Sequence, residues 1–158
     1  MKKTKNMIAT IYDTLHAADL DELEGIYKNW ASDYESDVIN LAGYVGHLIT
    51  SELLLNYLRN TESAVLDAGC GTGLVGEILY KNNFRNIDGV DFSQEMLNIA
   101  NQKNIYQSLK LVDLTKKLDY ENNSFDAVIC AGTFTCGHVG PEALREMVRI
   151  TKQGGYIC

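Results

Sequence analysis

From residue 61 onward, short apolar runs alternate with longer amphipathic stretches, and this change of period constrains the fold more than any other feature. The runs are AVLDA (64–68), NIDGVD (86–91), LKLVDL (109–114), FDAVICA (125–131) and GYIC (155–158). Each has the length and apolar content of a buried strand. Between them, helical patterns cover about 73–82, 93–103 and 141–152, the last opened by Pro141 in a first-turn position. Strands alternating with helices require right-handed crossovers, which gives a mainly parallel sheet with helices on both faces, an α/β/α sandwich. Alternation alone does not set the strand order.

Before residue 61 the period is helical. Ile8, Ile11, Tyr12 and Leu15 recur at i, i+3, i+4 and i+7, as do Leu23, Ile26, Tyr27 and Trp30, with Tyr34 one turn further on. A third helix is expected from about Tyr44 to Arg59, with Val45, Leu48, Ile49 and Leu53 as its buried stripe. Asp19, Asp21, Glu22 and Glu24 read as a solvated helix start. The expected organisation is a helical cap over residues 1–60 and a core over residues 61–158, folded as one unit. A chain of 158 residues can build one real core, since domains near this size bury roughly 68 to 70% of their unfolded surface.

Charge and cysteine usage narrow the function classes. With 14 Lys+Arg against 21 Asp+Glu the net charge is -7, and there is no long basic tract to collect counterion-release energy, so nucleic acid is a disfavoured partner. Residues 6–15 mix Asn, Asp, Thr and Tyr among scattered apolar residues, unlike a signal peptide, and no apolar run approaches the roughly 20 residues of a membrane span. Cys70, Cys130, Cys136 and Cys158 form no CxxC pair. Reduced thiols in a cytoplasmic protein are the expectation. Cys136 and His138 lack a second ligand pair, so no metal site is expected.

The chemistry concentrates at Val65-Leu66-Asp67-Ala68-Gly69-Cys70-Gly71-Thr72-Gly73, where a strand passes into a helix through three glycines at alternate positions. Glycine allows the tight turn and removes the Cβ between backbone and ligand, while the helix start offers free N–H groups to a negative or polar ligand. Gly71 to Gly76 is also a literal GxGxxG, the dinucleotide fingerprint, so two ligand classes compete. Asp91, 20 positions after Gly71, is placed to accept ribose hydroxyls in either class. Asp67 separates them: a carboxylate before the glycines would repel a pyrophosphate and accept from a cationic amino group, directly or through water. The near end of the ligand is then an amino acid.

VLDAGCGTG, GVDFSQEML, LVDL before a polar loop, and FDAVICAGTF resemble, in order and spacing, motifs of the class I S-adenosylmethionine-dependent methyltransferases. The resemblance covers about residues 20–158, with Gln153 where such proteins often carry Pro before paired glycines. It implies a Rossmann-like sheet in the order 3-2-1-4-5 and S-adenosyl-L-methionine as cofactor. It implies that Asp67 and the loop Gly69, Cys70, Gly71 and Gly73 hold the methionine moiety and Asp91 the ribose. Phe92 and Met96 would flank the adenine, Asp113 and the Leu114 amide would meet its polar edge, and Ala131 and Gly132 would line the methyl-donor side. Tyr27, Trp30 and Tyr34, which share one helical face, would cap the pocket.

The family's sheet has seven strands in the order 3-2-1-4-5-7-6, and this chain supplies five. The resemblance therefore implies a sequence truncated after the fifth strand, whose bare edge invites self-association. The expected function is methyl transfer to an acceptor of unknown identity, a small molecule being favoured. The alternatives are a nicotinamide-dependent oxidoreductase using the same loop and a cofactor-binding protein with no competent acceptor site. No catalytic residue is implied, and His138 reads either as a base toward an acceptor or as an exposed loop residue.

Overall fold

The computed structural model describes residues 2–134 and 139–158. Cys136 and His138, and with them the readings of a metal ligand and of a base, lie outside the described residues. Three helices come first: α1 (Lys2–His16), α2 (Leu20–Glu35), which runs into a π-helical segment (Ser36–Leu41), and α3 (Gly46–Tyr57). Then β1 (Val65–Ala68), α4 (Leu74–Lys81), β2 (Ile87–Asp91), α5 (Gln94–Gln102), β3 (Ser108–Leu111), β4 (Phe125–Ile129), α6 (Ala143–Ile150) and β5 (Thr151–Ile157) alternate as the period requires. All four pairings are parallel, in the order β3-β2-β1-β4-β5. The architecture is the expected α/β/α sandwich.

Residue alternation along the strands builds the two faces. Leu66, Ala68, Val90 and Val128 pack against Ala143, Met147 and Ile150 of α6. Val65, Ile87, Ala127 and Ile129 pack against Val75 and Leu79 of α4 and Leu54 of α3. The middle strand β1 is buried along its whole length, whereas β5, which has β4 on one side only among the described residues, is largely exposed. A third cluster lies away from the sheet, where Met7 of α1, Trp30 of α2 and Val38 pack with Tyr27, Tyr34 and Tyr44.

Several boundaries move. The β3 strand ends at Leu111 rather than Leu114, so Asp113 stands in the loop beyond it. The α6 helix starts at Ala143, two residues after Pro141. The β5 strand begins at Thr151 rather than Gly155 because its register slips between Phe125 and Ala127 of β4, which pair with Thr151 and Tyr156. The larger correction concerns α3. Its expected stripe, Val45, Leu48, Ile49 and Leu53, is half exposed, and the residues facing inward are His47, Ser51 and Leu54. Apolar residues lie all round this helix, so periodicity could not choose its buried side. In α1, likewise, Ile8 and Tyr12 point outward while Met7 and Thr14 are buried. In α2 the expectation holds at Leu23 and Trp30, and Asp19 caps the helix by accepting from the Glu22 N–H at 2.9 Å.

Candidate cofactor site

The carboxyl ends of β1, β2 and β4 open into a cavity roofed by α2, the usual place for a ligand in an open parallel sheet. The turn after β1 carries Gly69, Gly71 and Gly73 at φ of +74°, +53° and +95°, values that a residue with a Cβ adopts only under strain. Gly69 and Gly71 form part of the cavity wall. A Cβ at Gly71 would meet nothing within 4 Å, so bare backbone faces the open space.

Asp91 ties this turn to the next. One carboxylate oxygen accepts the Gly71 N–H at 2.8 Å and the other accepts the Ser93 N–H at 2.9 Å. Burial raises its pKa above the usual carboxylate range, while the backbone N–H groups of Ser93, Gly71 and Phe92 counter that rise by favouring the charge. A carboxylate has about four lone-pair sites, so two hydrogen bonds leave acceptor capacity on the cavity wall, where Asp91 stands.

Beyond Asp91 the wall becomes apolar. Phe92 and Met96 come from the start of α5, and Val112 and Leu114 from the loop after β3. Asp113 lies among them, one oxygen accepting from the Thr115 N–H at 2.8 Å and the Thr115 hydroxyl at 2.6 Å. Ala131, Gly132 and Thr133 close the β4 side. Overhead, Leu20, Leu23, Tyr27 and Tyr34 of α2 complete the enclosure, with the Tyr27 ring edge-on to Phe92 at 5.6 Å between centroids. Burial pushes the Tyr34 phenol up to about 12, and it raises Tyr27 as well, so both hydroxyls are protonated at neutral pH.

Four of the sequence-expected residues stand back from the cavity wall: Trp30, Asp67, Cys70 and Gly73. Trp30 is buried behind the roof, its indole N–H donating to Asp37 at 3.0 Å and its ring packed against Tyr34 at 4.9 Å. Burial raises the Cys70 thiol well above its ordinary range and pushes Cys130 up to about 12, so neither is a nucleophile as the structure stands.

Asp67 is 1% exposed, on the same face of β1 as Val65, under the start of α4. Tyr106 donates its hydroxyl to Asp67 Oδ2 at 2.7 Å, and Oδ1 is buried with no hydrogen-bond partner. The N–H of Gly76 lies near enough to favour the charge without bonding Oδ1. Burial dominates and lifts the Asp67 pKa to about 7.

Sequence reasoning missed Tyr106, which precedes β3 and belongs to no motif. Its ring lies against three glycines. A Cβ at Gly73 would come 3.2 Å from the ring, one at Gly89 3.1 Å, and one at Gly76 would overlap the hydroxyl. The third glycine of GxGxxG therefore accommodates a side chain of this protein. An available signal was Gly89, an isolated glycine inside a strand, which marks a close approach. Leu20 and Thr115 were also missed as lining residues.

An amino-acid-bearing nucleoside suits this donor and acceptor set. The orphaned Asp67 oxygen calls for a donor, Asp91 and Asp113 offer acceptors at two further positions, and an apolar slot lies between those two. Among the described residues, no group of three or more His, Cys, Asp or Glu could hold a metal ion, and no single helix is long and apolar enough to cross a membrane.

Residues 66–158 match the methyltransferase domain family. Human methyltransferase-like protein 27 is 36% identical over 142 residues, which is 89% of this chain and 58% of that protein. The ubiquinone/menaquinone biosynthesis C-methyltransferase of Bdellovibrio bacteriovorus is 28% identical over 90% of this chain and 62% of its own length. The chain thus spans about three fifths of these relatives. Among solved structures, a Methanococcus maripaludis protein assigned as an S-adenosyl-L-methionine-dependent methyltransferase superposes with a TM-score of 0.68 at 25% identity, covering 82% of this chain and 62% of that one. An Aquifex aeolicus methyltransferase of the same dependence gives 0.54 at 26% identity, over 68% and 61%.

Proposed function

This chain belongs to the class I S-adenosylmethionine-dependent methyltransferase family, and from that premise we propose that it binds S-adenosylmethionine under α2 and directs methyl transfer to a small-molecule acceptor. The observation that carries the proposal is the order of chemistry at the strand ends: at the β1 end a buried carboxylate with an orphaned oxygen, set back behind the cavity wall, then a wall carboxylate at the β2 end and an apolar slot edged by Asp113. That order runs parallel to the cofactor's ammonium, ribose and adenine. When bound, the cofactor supplies a methyl group on a sulfonium, open to in-line attack by an acceptor atom.

The chain's own residues orient and desolvate. In this reading Gly69 and Gly71 bring bare backbone to the methionine moiety, with Cys70 and Gly73 shaping the turn. Asp67 takes the ammonium, directly or through water, and Asp91 takes the ribose hydroxyls. Phe92 and Met96 flank the adenine, whose amino group Asp113 accepts beside the Leu114 amide. Ala131 and Gly132 line the methyl side. Tyr27 and Tyr34, braced by Trp30, present aromatic faces that exclude water and favour a cation by roughly 0.5 to 2 kcal/mol. Alignment and desolvation carry the rate enhancement, with no obligatory acid or base.

Residues 1–60 act as the cap and residues 61–158 as the cofactor-binding core. The net charge of -7 favours a small acceptor over nucleic acid, and the names of relatives, including quinone C-methyltransferases, support the same class. Cytoplasmic residence and pairing of copies through the β5 edge belong to the same proposal, and light scattering tests the pairing. Calorimetry tests the ligand class: S-adenosylhomocysteine is expected to bind far more tightly than NAD or NADP, and preference for a dinucleotide would overturn the assignment.

A further inference from the structure

We propose that Tyr106 is a positioning residue for the cofactor's amino-acid end: from beneath the glycine turn it holds one oxygen of Asp67 and leaves the other for the ligand's ammonium group. The inference rests on the cofactor reading above and adds to it a residue outside every motif of the sequence. Three observations converge. The hydroxyl donates to Asp67 Oδ2 at 2.7 Å while Oδ1 is buried and unpartnered. The ring lies against glycines 73, 76 and 89, from the turn after β1, from α4 and from β2; a Cβ at residue 76 would overlap its hydroxyl, and Cβ atoms at 73 and 89 would crowd the ring at 3.2 and 3.1 Å. And among the described residues every titratable group facing Asp67 is an acid or a neutral donor: Asp91 from β2, Cys130 from β4, Cys70 from the glycine turn, Tyr44 before α3 and Tyr106 itself. No cation belongs to that set.

A buried carboxylate with no cationic neighbour favours its neutral form, and burial holds Asp67 protonated up to about pH 7. An incoming ammonium group supplies the missing positive charge and draws the proton off. The Tyr106 hydroxyl assists because a hydrogen bond donated to the charged form favours that form. It also fixes which oxygen remains available. Tyr106 thereby tunes discrimination between ligands with and without the amino acid, and leaves the nucleoside contacts untouched.

The test compares S-adenosylhomocysteine with methylthioadenosine, which keeps the nucleoside and lacks the amino acid, binding each to the wild type and to Tyr106→Phe. The substitution removes only the hydroxyl and leaves the ring in its glycine cradle. Loss of one hydrogen bond to a charged group predicts roughly tenfold weaker S-adenosylhomocysteine binding, with methylthioadenosine changed by less than about twofold. The pH at which S-adenosylhomocysteine binding is half lost on acidification should also move upward in the variant. A purely structural role would weaken both ligands together and leave that midpoint in place, which would overturn the proposal.

Should the variant fail to fold, carboxyl-carbon NMR of the wild type decides the matter. S-adenosylhomocysteine should lower the Asp67 titration midpoint and methylthioadenosine should not, and an unmoved midpoint would overturn the proposal. Failure of the cofactor reading looks different: the wild type would then bind neither ligand, and both inferences would fall together.

Discussion

The ends of β1 and β2 carry one buried aspartate each, on neighbouring parallel strands, and the two are satisfied in opposite ways. Asp91 accepts backbone N–H groups on both oxygens, from Gly71 and Ser93. Asp67 has one bond from a side chain and one oxygen with no partner. A carboxylate bonded to backbone on both sides is part of the frame, because removing it strands donors on two turns. A carboxylate with an orphaned oxygen is a vacancy for a charge. The β2 end therefore positions a ligand, and the β1 end selects one by its cation.

The largest effect expected from this contrast is at Asp91. Asp91→Ala leaves the buried Ser93 N–H and the half-buried Gly71 N–H without acceptors, and an unsatisfied buried group costs about 1 to 3 kcal/mol. Loss of roughly 2 to 4 kcal/mol in urea unfolding is expected, with S-adenosylhomocysteine and methylthioadenosine weakened alike and by more than about a hundredfold. Asp91→Asn retains one acceptor oxygen and should lose less. Unchanged stability in Asp91→Ala would break the comparison, since Asp91 would then be no more structural than Asp67.

Asp67→Asn comes next and separates charge from shape. Its carbonyl can still accept from Tyr106, yet no anion remains for an ammonium, so S-adenosylhomocysteine should weaken about tenfold or more while methylthioadenosine holds. Stability should respond with the opposite sign. In the folded, ligand-free chain Asp67 keeps its proton up to about pH 7, against about 3.9 when unfolded. The folded state binds the extra proton between those values, so this contribution to stability falls as pH rises from about 4 to about 7 and then levels off. Urea midpoints at pH 5 and 7.5 should therefore lie closer together in Asp67→Asn than in the wild type. An identical pH dependence in both would mean that Asp67 ionises normally.

The two ends also differ in how well the sequence announced them. The glycine turn was legible because its chemistry is main-chain chemistry, and Gly69, Gly71 and Gly73 all take the left-handed conformations that their identity permits. Asp91 was legible through its spacing from Gly71. Tyr106 was not, since its meaning depends on glycines at 73, 76 and 89 that come together only in the fold. The helical layer failed for another reason. Periodicity found all three helices, but α3 is apolar on every side, and it turned His47, Ser51 and Leu54 inward in place of the expected stripe. Trp30 was expected to cap the cavity, and its bond to Asp37 instead holds it behind Tyr27 and Tyr34.

Tyr27 belongs energetically to the β2 end, because its ring meets Phe92 edge-on and forms part of the roof. Aromatic pairs contribute about 0.5 to 1.5 kcal/mol beyond their buried area. Tyr27→Ala should therefore weaken S-adenosylhomocysteine and methylthioadenosine equally, by roughly three- to tenfold. Selective loss of the amino-acid-bearing ligand would place Tyr27 with Asp67 and erase the division between the two ends.

The smallest expected effect is at the residue that joins the two ends. Lys103 follows α5, the helix leaving β2, and bridges to Glu77 of α4, the helix leaving β1, at 2.5 Å and to Glu35 at the end of α2 at 2.6 Å. Its side chain is 17% exposed and those of its partners about a third, so water and salt screen much of the attraction, and pairs of this kind contribute about 0.2 to 1 kcal/mol. Lys103→Met keeps the aliphatic length and removes the charge. Urea stability should drop by no more than about 1 kcal/mol, and the part of it sensitive to added salt should shrink. Because Glu35 closes the α2 helix that roofs the cavity, both ligands should weaken together, by about two- to threefold. A loss confined to S-adenosylhomocysteine would instead mean that Lys103 acts through Glu77 on the Asp67 end alone, and α2 would then be held over the cavity by its apolar contacts without help from the charge.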